Sequence, residues 1–262
     1  MSTALITGAS SGIGRELAKL FAKDDYNLIL VARGREALEK VRNQILEHHP
    51  RLSIMIFDRD LSAQANIDEI YETLKREGRD VDVLVNNAGF GDIGFFHEDQ
   101  WSRERGMIEV NVIAVAYLTR LFLPEMVARK NGKILNTSST AAFQPGPKMA
   151  IYYATKAFVL NFGEALSNEL RGTGVTVTTL CPGATATHFQ SVAGIHNTRQ
   201  IRNMLPTPKE VATYGYKALM KGKRLAIYGW YNKFFVFSVR FLPRWLVLRI
   251  TRHVQDNVKR VY

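Results

Sequence analysis

The sequence predicts a doubly wound α/β fold, in which helices cover both faces of one parallel sheet. Short β-rich runs alternate with longer helical stretches, and a glycine-rich segment separates the first run from the first helical stretch. Such alternation needs crossover connections, and right-handed crossovers produce a parallel sheet. The 262 residues, 46% of them hydrophobic, suffice for one well-buried core.

Seven runs are predicted as strands, and the segments between them mostly as helices. In chain order the strands are Ala4–Thr7, Asn27–Ala32, Leu52–Asp58, Val81–Asn86, Lys133–Ser138, Val175–Cys181 and Arg224–Tyr228. Pro50 follows a helix that begins near Arg35, and Gly172 and Gly174 follow the helix that carries Tyr152.

Two segments stand outside this alternation. Residues 183–208 show weak periodicity and contain two prolines near their end, which predicts a mobile lid. Residues 230–262 form a basic, aromatic extension after the predicted domain of residues 1–229. No linker or repeat divides that domain.

Charge and cysteine content limit the classes of protein. The formal net charge of +11 allows nucleic acid, anionic lipid or a phosphorylated cofactor as partner, and from Tyr228 to Tyr262 seven basic residues face one acidic residue. The first apolar run begins at Ala4, which leaves no room for a secretory leader and predicts a cytoplasmic protein. The single cysteine, Cys181, is expected to be buried and unpaired.

The glycine-rich segment predicts a dinucleotide site. Glycines at this turn let main-chain amides approach a pyrophosphate at the amino end of a helix. The segment between the first strand and first helix contains Gly8, Ser10, Ser11, Gly12, Ile13 and Gly14. About twenty residues further on, where a carboxylate would bind the ribose of NAD, the chain has Arg33 and Arg35. Arg33, with Arg35 as a second candidate, is therefore predicted to pair with the 2′-phosphate of NADP(H), the alternative being a solvated surface arginine.

Further motifs follow in a fixed order along the chain. They are Asn86-Asn87-Ala88-Gly89, Asn111, Ser139, Tyr152-x-x-x-Lys156 and Pro182-Gly183. With the glycine-rich loop, this set resembles the short-chain dehydrogenase/reductase family, in its compact branch with one Rossmann-type domain. The resemblance implies cofactor contacts from Asp60 and Leu61 at the adenine, Asn87, Ala88 and Gly89 below the loop, Pro182 and Gly183, and Thr185 and Thr187 at the nicotinamide.

Tyr152 and Lys156 lie four residues apart and so share one helix face, where the ammonium should favour the ionised phenol. The resemblance implies that Tyr152 is the acid in carbonyl reduction and the base in alcohol oxidation. It further implies that Lys156 binds the nicotinamide ribose, Ser139 holds the substrate oxygen and Asn111 anchors a water. Without Ser139 and the glycine loop, a surface pair would be the preferred interpretation of Tyr152 and Lys156. Their neighbours Ser138 and Tyr153 are predicted to be structural.

Apolar residues near the motif ends predict a hydrophobic carbonyl or alcohol substrate. They are Phe90, Phe95, Phe96, Phe143, Met149 and Phe189, each of which could equally belong to the core. The six histidines show no paired metal spacing beyond the adjacent His48 and His49, so no metal is predicted.

The extension allows three interpretations. From Leu246 onward, a helix would align Leu246, Ile250, Val254, Val258 and Val261 on one side, with Arg249, Arg252, Lys259 and Arg260 largely opposite. This basic amphipathic helix predicts a contact with an anionic membrane surface, ahead of packing on the core or a second subunit. A nucleic-acid contact is the least favoured of the three.

Taken together, these features predict an NADPH-dependent reductase of a hydrophobic carbonyl. An enzyme working in the oxidative direction uses the same residues. The alternative from another class is a non-catalytic NADP(H)-binding sensor or scaffold, which the intact set of Asn111, Ser139, Tyr152 and Lys156 disfavours. The resemblance also implies a homodimer or homotetramer that pairs through the helices carrying Asn111 and Tyr152.

Overall fold

The computed structural model of the protein describes residues 1–187, 193 and 205–256. Its centre is one parallel sheet of seven strands, in the spatial order β3-β2-β1-β4-β5-β6-β7. The strands are β1 (Thr3–Thr7), β2 (Asn27–Ala32), β3 (Ile54–Asp58), β4 (Val83–Asn86), β5 (Gly132–Thr137), β6 (Val175–Cys181) and β7 (Leu225–Ile227). The chain starts at the middle of the sheet and winds outward in both directions, so the predicted fold class is confirmed.

Helices fill the connections. They are α1 (Gly12–Lys23), α2 (Arg35–Leu46), α3 (Gln64–Arg76), α4 (Trp101–Ile108), α5 (Ala114–Ala128), α6 (Ala150–Glu169), α7 (Pro208–Met220), α8 (Trp230–Val239) and α9 (Arg244–Asp256). A single π-helical turn, Glu109–Ile113, joins α4 to α5, and a 3₁₀ turn, Thr140–Phe143, follows β5. Of the predicted lid, residues 188–192 and 194–204 lie outside the described residues.

The sheet buries both of its faces, which explains the continuous apolar runs of its strands. Ile6 and Leu30 point into one core layer, which α1, α2 and α7 cover. Leu5 and Ile29 point into the other, which α3 and α5 cover. The predicted strand limits differ at β3 and β4, because Leu52 and Val81 are buried but precede the first paired residue.

The continuous helical stretch Trp101–Ala128 is long and apolar enough to span a bilayer by length and composition alone. In this fold it lies against the sheet, where Leu118, Phe122 and Met126 belong to the buried layer that also contains Leu84. These contacts are those of a core helix. Its π turn contains Asn111, and such turns are frequent at functional sites.

Candidate active site

The carboxyl ends of the central strands surround a cavity of about 770 Å³. Its position matches the rule that ligands of open α/β sheets bind at the switch in strand order, here between β1 and β4. The predicted site residues that line it are Gly8, Ser10, Ser11, Gly12, Ile13, Arg33, Asp60, Leu61, Asn87, Ala88, Gly89, Ser139, Tyr152, Pro182, Gly183, Thr185 and Thr187. Three further predicted residues, Gly14, Asn111 and Lys156, are absent from this lining.

Thr7 fixes the glycine-rich loop to the loop after β4. Its hydroxyl donates to the Val85 carbonyl at 3.1 Å and accepts from the amides of Asn87 and Ala88, both at 2.9 Å. The Asn87 side chain returns a hydrogen bond to the Thr7 carbonyl at 3.0 Å. Hydrogen bonds therefore join two segments that are 80 residues apart in sequence and that both line the cavity.

Space at the start of α1 suits a bound pyrophosphate. A Cβ on Gly14 would lie 2.3 Å from the Gly8 carbonyl oxygen, so a side chain there would push the turn apart. Ser11 precedes α1 in extended conformation and makes no side-chain cap to the helix. The amino end of α1 thus faces the cavity as an anion site, and the residues present fit a dinucleotide.

The two arginines after β2 differ in their surroundings. Arg35 pairs with Glu39 at 3.0 Å and with Asp58 at 3.5 Å, which directs it away from a phosphate. Arg33 is exposed and lines the cavity. Arg59, which the sequence did not single out, also lines the cavity, although Glu69 holds its guanidinium. Arg33 is consequently the stronger candidate for the 2′-phosphate.

Tyr152 and Ser139 meet at the opposite part of the cavity. Ser139 begins the 3₁₀ turn, and its hydroxyl oxygen accepts from the Ala141 amide at 3.1 Å. Burial raises the pKa of Tyr152 to about 12, while a side-chain hydrogen bond with Ser139 acts in the opposite direction. At neutral pH the phenol therefore holds its proton, which is the form that a carbonyl reduction requires.

Lys156 is buried below the tyrosine. Its ammonium lies 5.9 Å from the centroid of the Tyr152 ring and donates to the Thr137 carbonyl at 3.0 Å. Burial lowers the pKa of Lys156 to about 8, with Cys181 acting in the opposite direction. The expectation that Lys156 favours the ionised form of Tyr152 is not met, because burial disfavours charge on both groups.

Asn111 links three segments from its π turn. Its side-chain amide donates to the Phe90 carbonyl at 2.9 Å and to the Thr155 hydroxyl at 3.1 Å, and its oxygen accepts from the Phe90 amide at 3.1 Å. The residue is fully buried. Asn111 thus joins the loop after β4 to α6; its role as a water anchor remains a prediction.

Ser138 and Tyr153, the sequence neighbours of Ser139 and Tyr152, differ in their surroundings. The Ser138 hydroxyl donates to the Lys156 main-chain carbonyl at 2.7 Å, which is the structural role expected for it. Tyr153, also expected to be structural, lines the cavity. Cys181 is buried and unpaired, as predicted.

The substrate end of the cavity is less apolar than the sequence suggested. Phe90 and Met149 line it, whereas Phe95, Phe96 and Phe143 do not, and Phe189 lies outside the described residues. Phe95 and Phe96 instead are exposed to solvent. Arg103 and Gln144 line the cavity without having been predicted, because no motif marks them. Within the described ranges, no group of three or more His, Cys, Asp or Glu residues could hold a metal ion.

Helix α9 buries a face other than the apolar side that the sequence defines. Val247, Thr251 and Gln255 are buried, whereas Ile250 and Val254 of the predicted apolar side are exposed. Val258, Lys259, Arg260 and Val261 lie outside the described residues. The surface that receives α9 presents polar groups, including the Tyr153 hydroxyl, so the apolar side is left exposed and its contact with an anionic membrane stays a prediction.

Comparison with known proteins identifies the family. A family model described as short chain dehydrogenase matches residues 2–197. The chain is 37% identical over 191 residues to the NADP-dependent 3-hydroxy acid dehydrogenase YdfG of Salmonella typhi, a match that covers 72% of this chain and 75% of that protein. It is 34% identical over 195 residues to the very-long-chain 3-oxoacyl-CoA reductase of Mus musculus, covering 72% of this chain and 61% of that protein.

Among solved structures, the chain resembles a short-chain dehydrogenase from Sphingobium yanoikuyae in complex with NADPH. The TM-score is 0.82 at 26% sequence identity, and the match covers 100% of this chain and 98% of the other. The protein belongs to the short-chain dehydrogenase/reductase family. It is an NADP(H)-dependent oxidoreductase, which confirms the predicted class and cofactor.

Proposed function

We propose that the protein reduces the carbonyl group of a hydrophobic substrate with NADPH, with Tyr152 as proton donor. The carrying observation is that Tyr152 and Ser139 line the same cavity as the glycine-rich loop and Arg33. When bound, NADPH supplies the hydride. The chain's own residues then have to orient the carbonyl, exclude water and deliver one proton to the oxygen.

Each residue has a defined task in this proposal. Ser139 holds the carbonyl oxygen through its hydroxyl, because its own oxygen is already engaged by the Ala141 amide. Tyr152 transfers its phenolic proton to that oxygen as negative charge develops there. Lys156 binds the nicotinamide ribose. Asn111 anchors the water through which the Tyr152 phenol regains its proton. The reverse reaction uses the same residues, with the ionised phenol as base.

A hydrophobic substrate is supported by two observations. Phe90 and Met149 line the cavity beside Tyr152. The mouse relative is named for a very-long-chain 3-oxoacyl-CoA substrate, and a structural neighbour from Comamonas testosteroni, 26% identical with a TM-score of 0.77, is described as specific for bulky-bulky ketones. A non-catalytic sensor would have no need of the complete set of reacting residues.

A screen of NADPH oxidation tests the proposed function. Sterol ketones, acyl-chain 3-ketones and small aromatic ketones would be offered at equal concentration, with NADH as the cofactor control. We expect turnover with one of the bulky classes and a strong preference for NADPH. Tight NADPH binding without turnover of any carbonyl or alcohol would favour the sensor alternative.

The outer surface of the extension is proposed to contact an anionic membrane. Large apolar side chains of α8, α9 and the turn between them are exposed, namely Trp230, Tyr231, Phe234, Phe237, Phe241, Trp245, Leu248, Ile250 and Val254. Exposed basic residues lie among them: Lys233, Arg240, Arg244 and Arg249. Aromatic side chains suit the interfacial region of a bilayer, and each nearby cation adds up to about 1 kcal/mol of attraction to acidic lipid.

Tryptophan fluorescence with vesicles tests this contact. Two of the three tryptophans, Trp230 and Trp245, lie on this surface, so binding to phosphatidylserine vesicles should shift the emission to shorter wavelength and weaken with salt. Trp245→Ser should reduce binding, whereas Trp101→Ser should not, although Trp101 is 60% exposed and Trp245 62%. If the protein associates with itself and not with vesicles, the partner of this surface is a second copy of the chain.

A further inference from the structure

The carboxyl end of α9 lies against the rim of the active-site cavity. The buried Gln255 side chain donates to the Tyr153 hydroxyl at 2.8 Å. The next residue, Asp256, pairs with Lys148 at 2.5 Å. Arg252, one turn earlier, places its guanidinium 5.1 Å from the centroid of the Phe95 ring. The extension therefore contacts three separate positions around the reacting residues.

Tyr153 has little freedom in this position. Its ring meets the Tyr152 ring edge-on, with centroids 6.1 Å apart and planes at 78°. On another side, a Cβ added to Gly146 would lie 2.2 Å from the Tyr153 ring, so the ring occupies the space where a side chain would be. Gln255 fixes the remaining end, the hydroxyl. The ring is thus held as a wall of the cavity that it lines.

The adjacent rim segment is held by the same helix. Lys148 has a φ of +63°, a left-handed conformation that is unfavourable for a residue other than glycine. Its carbonyl accepts from the Gly94 amide at 2.8 Å, and its ammonium pairs with Asp256. Met149, which lines the cavity, follows directly. Contacts from α9 therefore support both Tyr153 and the segment that carries Met149.

Resting on the proposed function, we propose that Tyr153 is a substrate-binding wall and that Gln255 is the residue that positions it. The C-terminal extension then belongs to the substrate site as well as to the outer surface. Loss of the Gln255 bond frees the Tyr153 ring before substrate arrives, and binding must restore its position. The effect falls on KM for a bulky ketone, because hydride and proton transfer depend on Tyr152 and Ser139.

Three variants and one matched control test this proposal. Gln255→Leu and Tyr153→Phe each remove one side of the hydrogen bond, and each should raise KM for the best bulky ketone by about threefold to tenfold, with kcat within about twofold. The double variant should equal the single variants, since both lose the same bond. Asn161→Ala serves as control, because its side-chain amide donates to the Ala157 carbonyl at 2.8 Å on an exposed face of α6.

An independent route displaces the ring without removing either of its hydrogen-bonding groups. Gly146→Ala places a methyl group against the Tyr153 ring and should also raise KM. Affinity for NADPH, measured by fluorescence, should stay within twofold in all of these variants, since the bond between Gln255 and Tyr153 involves no residue of the glycine-rich loop. Melting curves of each variant would identify a protein that fails to fold, and Tyr153→Phe, which preserves the ring, guards against that outcome.

Distinct outcomes overturn the two proposals. Unchanged KM in Gln255→Leu and Tyr153→Phe, or additive losses in the double variant, would overturn the positioning role. Losses of kcat, NADPH affinity and melting temperature that accompany the rise in KM would also overturn it, because they would show that the bond only stabilises the fold. Failure of wild-type turnover would contradict the proposed function alone. In that case, calorimetric binding of the ketone to the NADP⁺-bound protein measures the same threefold to tenfold effect without turnover.

Discussion

The two ends of the active-site cavity are built by different means. The nucleotide end consists of main-chain turns around the glycine-rich loop, which the Thr7 hydroxyl joins to Asn87 and Ala88. The substrate end is assembled from the rim segment at Lys148, the start of α6 and the end of α9. One end binds a fixed ligand through backbone geometry, while the other depends on side chains that meet only in the folded chain.

This difference determines which substitutions each end of the cavity can accept. Backbone turns that bind phosphate demand glycine, as the 2.3 Å approach at Gly14 requires. Single substitutions of the side chains at the substrate end change its shape and leave these turns intact. The match to the family model, over residues 2–197, ends before α8 and α9. Substrate selectivity is therefore expected to depend on the side chains of the substrate end.

The largest separation of the two ends is expected from Ser139→Ala. Removing the hydroxyl that holds the developing oxyanion should lower kcat by about 10²-fold, as for other oxyanion donors, while NADPH affinity stays within twofold. Ser138→Ala is the matched comparison. It leaves the buried Lys156 carbonyl without its 2.7 Å donor and should cost about 1–2 kcal/mol of unfolding free energy, with less than threefold in kcat. Steady-state kinetics and urea melts measure both.

At the nucleotide end, Arg33→Gln should lower the preference for NADPH over NADH by roughly 1.5–3 kcal/mol, the range of a charge-assisted hydrogen bond. Arg33→Asp should reverse the preference. Arg35→Gln is the control, because Arg35 is already paired with Glu39 and Asp58. Fluorescence titration of both cofactors gives the ratio. A larger loss in Arg35→Gln than in Arg33→Gln would exchange the roles of the two arginines.

A smaller effect, which depends on pH, is expected from Lys156, the residue that serves both the cofactor and Tyr152. Burial holds its pKa at about 8, so the ammonium is present below that pH and is lost as pH rises through it. The ammonium donates toward the nicotinamide ribose in the proposed arrangement. We therefore expect kcat/KM for NADPH, which reports the free enzyme, to be flat below about pH 8 and to fall by up to tenfold per unit above it.

Two controls keep that pH profile interpretable. NADH should show the same decline, which separates Lys156 from any titration of the 2′-phosphate. Arg33→Gln should retain the decline at a lower overall level, because the substitution leaves Lys156 in place. A profile that stays flat to pH 9.5 would contradict the role of the Lys156 charge in cofactor use.

Local patterns and the family resemblance together predicted most of the residues that line the nucleotide end of the cavity. The glycine-rich loop can be recognised from a strand, a turn and a helix that follow one another in sequence. The alternation of strands and helices likewise predicted the sheet. Limits of β3 and β4 shifted because buried Leu52 and Val81 extend the apolar pattern beyond the paired residues.

The substrate end could not be predicted in the same way. The pKa values of Tyr152 and Lys156 depend on burial by the whole fold, which spacing alone does not report. Periodicity placed Ile250 and Val254 on the apolar side of α9, but it did not indicate that the buried side would carry Gln255, whose side chain donates to the Tyr153 hydroxyl. Gln144 carries no motif at all and becomes visible only as part of the cavity lining.

A single-turnover experiment on Tyr152→Phe tests the central claim most directly. Enzyme saturated with NADPH would be mixed with saturating ketone, and loss of NADPH absorbance would be followed in wild type and variant. The account predicts that reduction slows by about 10²-fold or more in the variant while the NADPH dissociation constant stays within twofold. Reduction at a rate comparable to that of the wild type would contradict Tyr152 as the proton donor and with it the proposed mechanism.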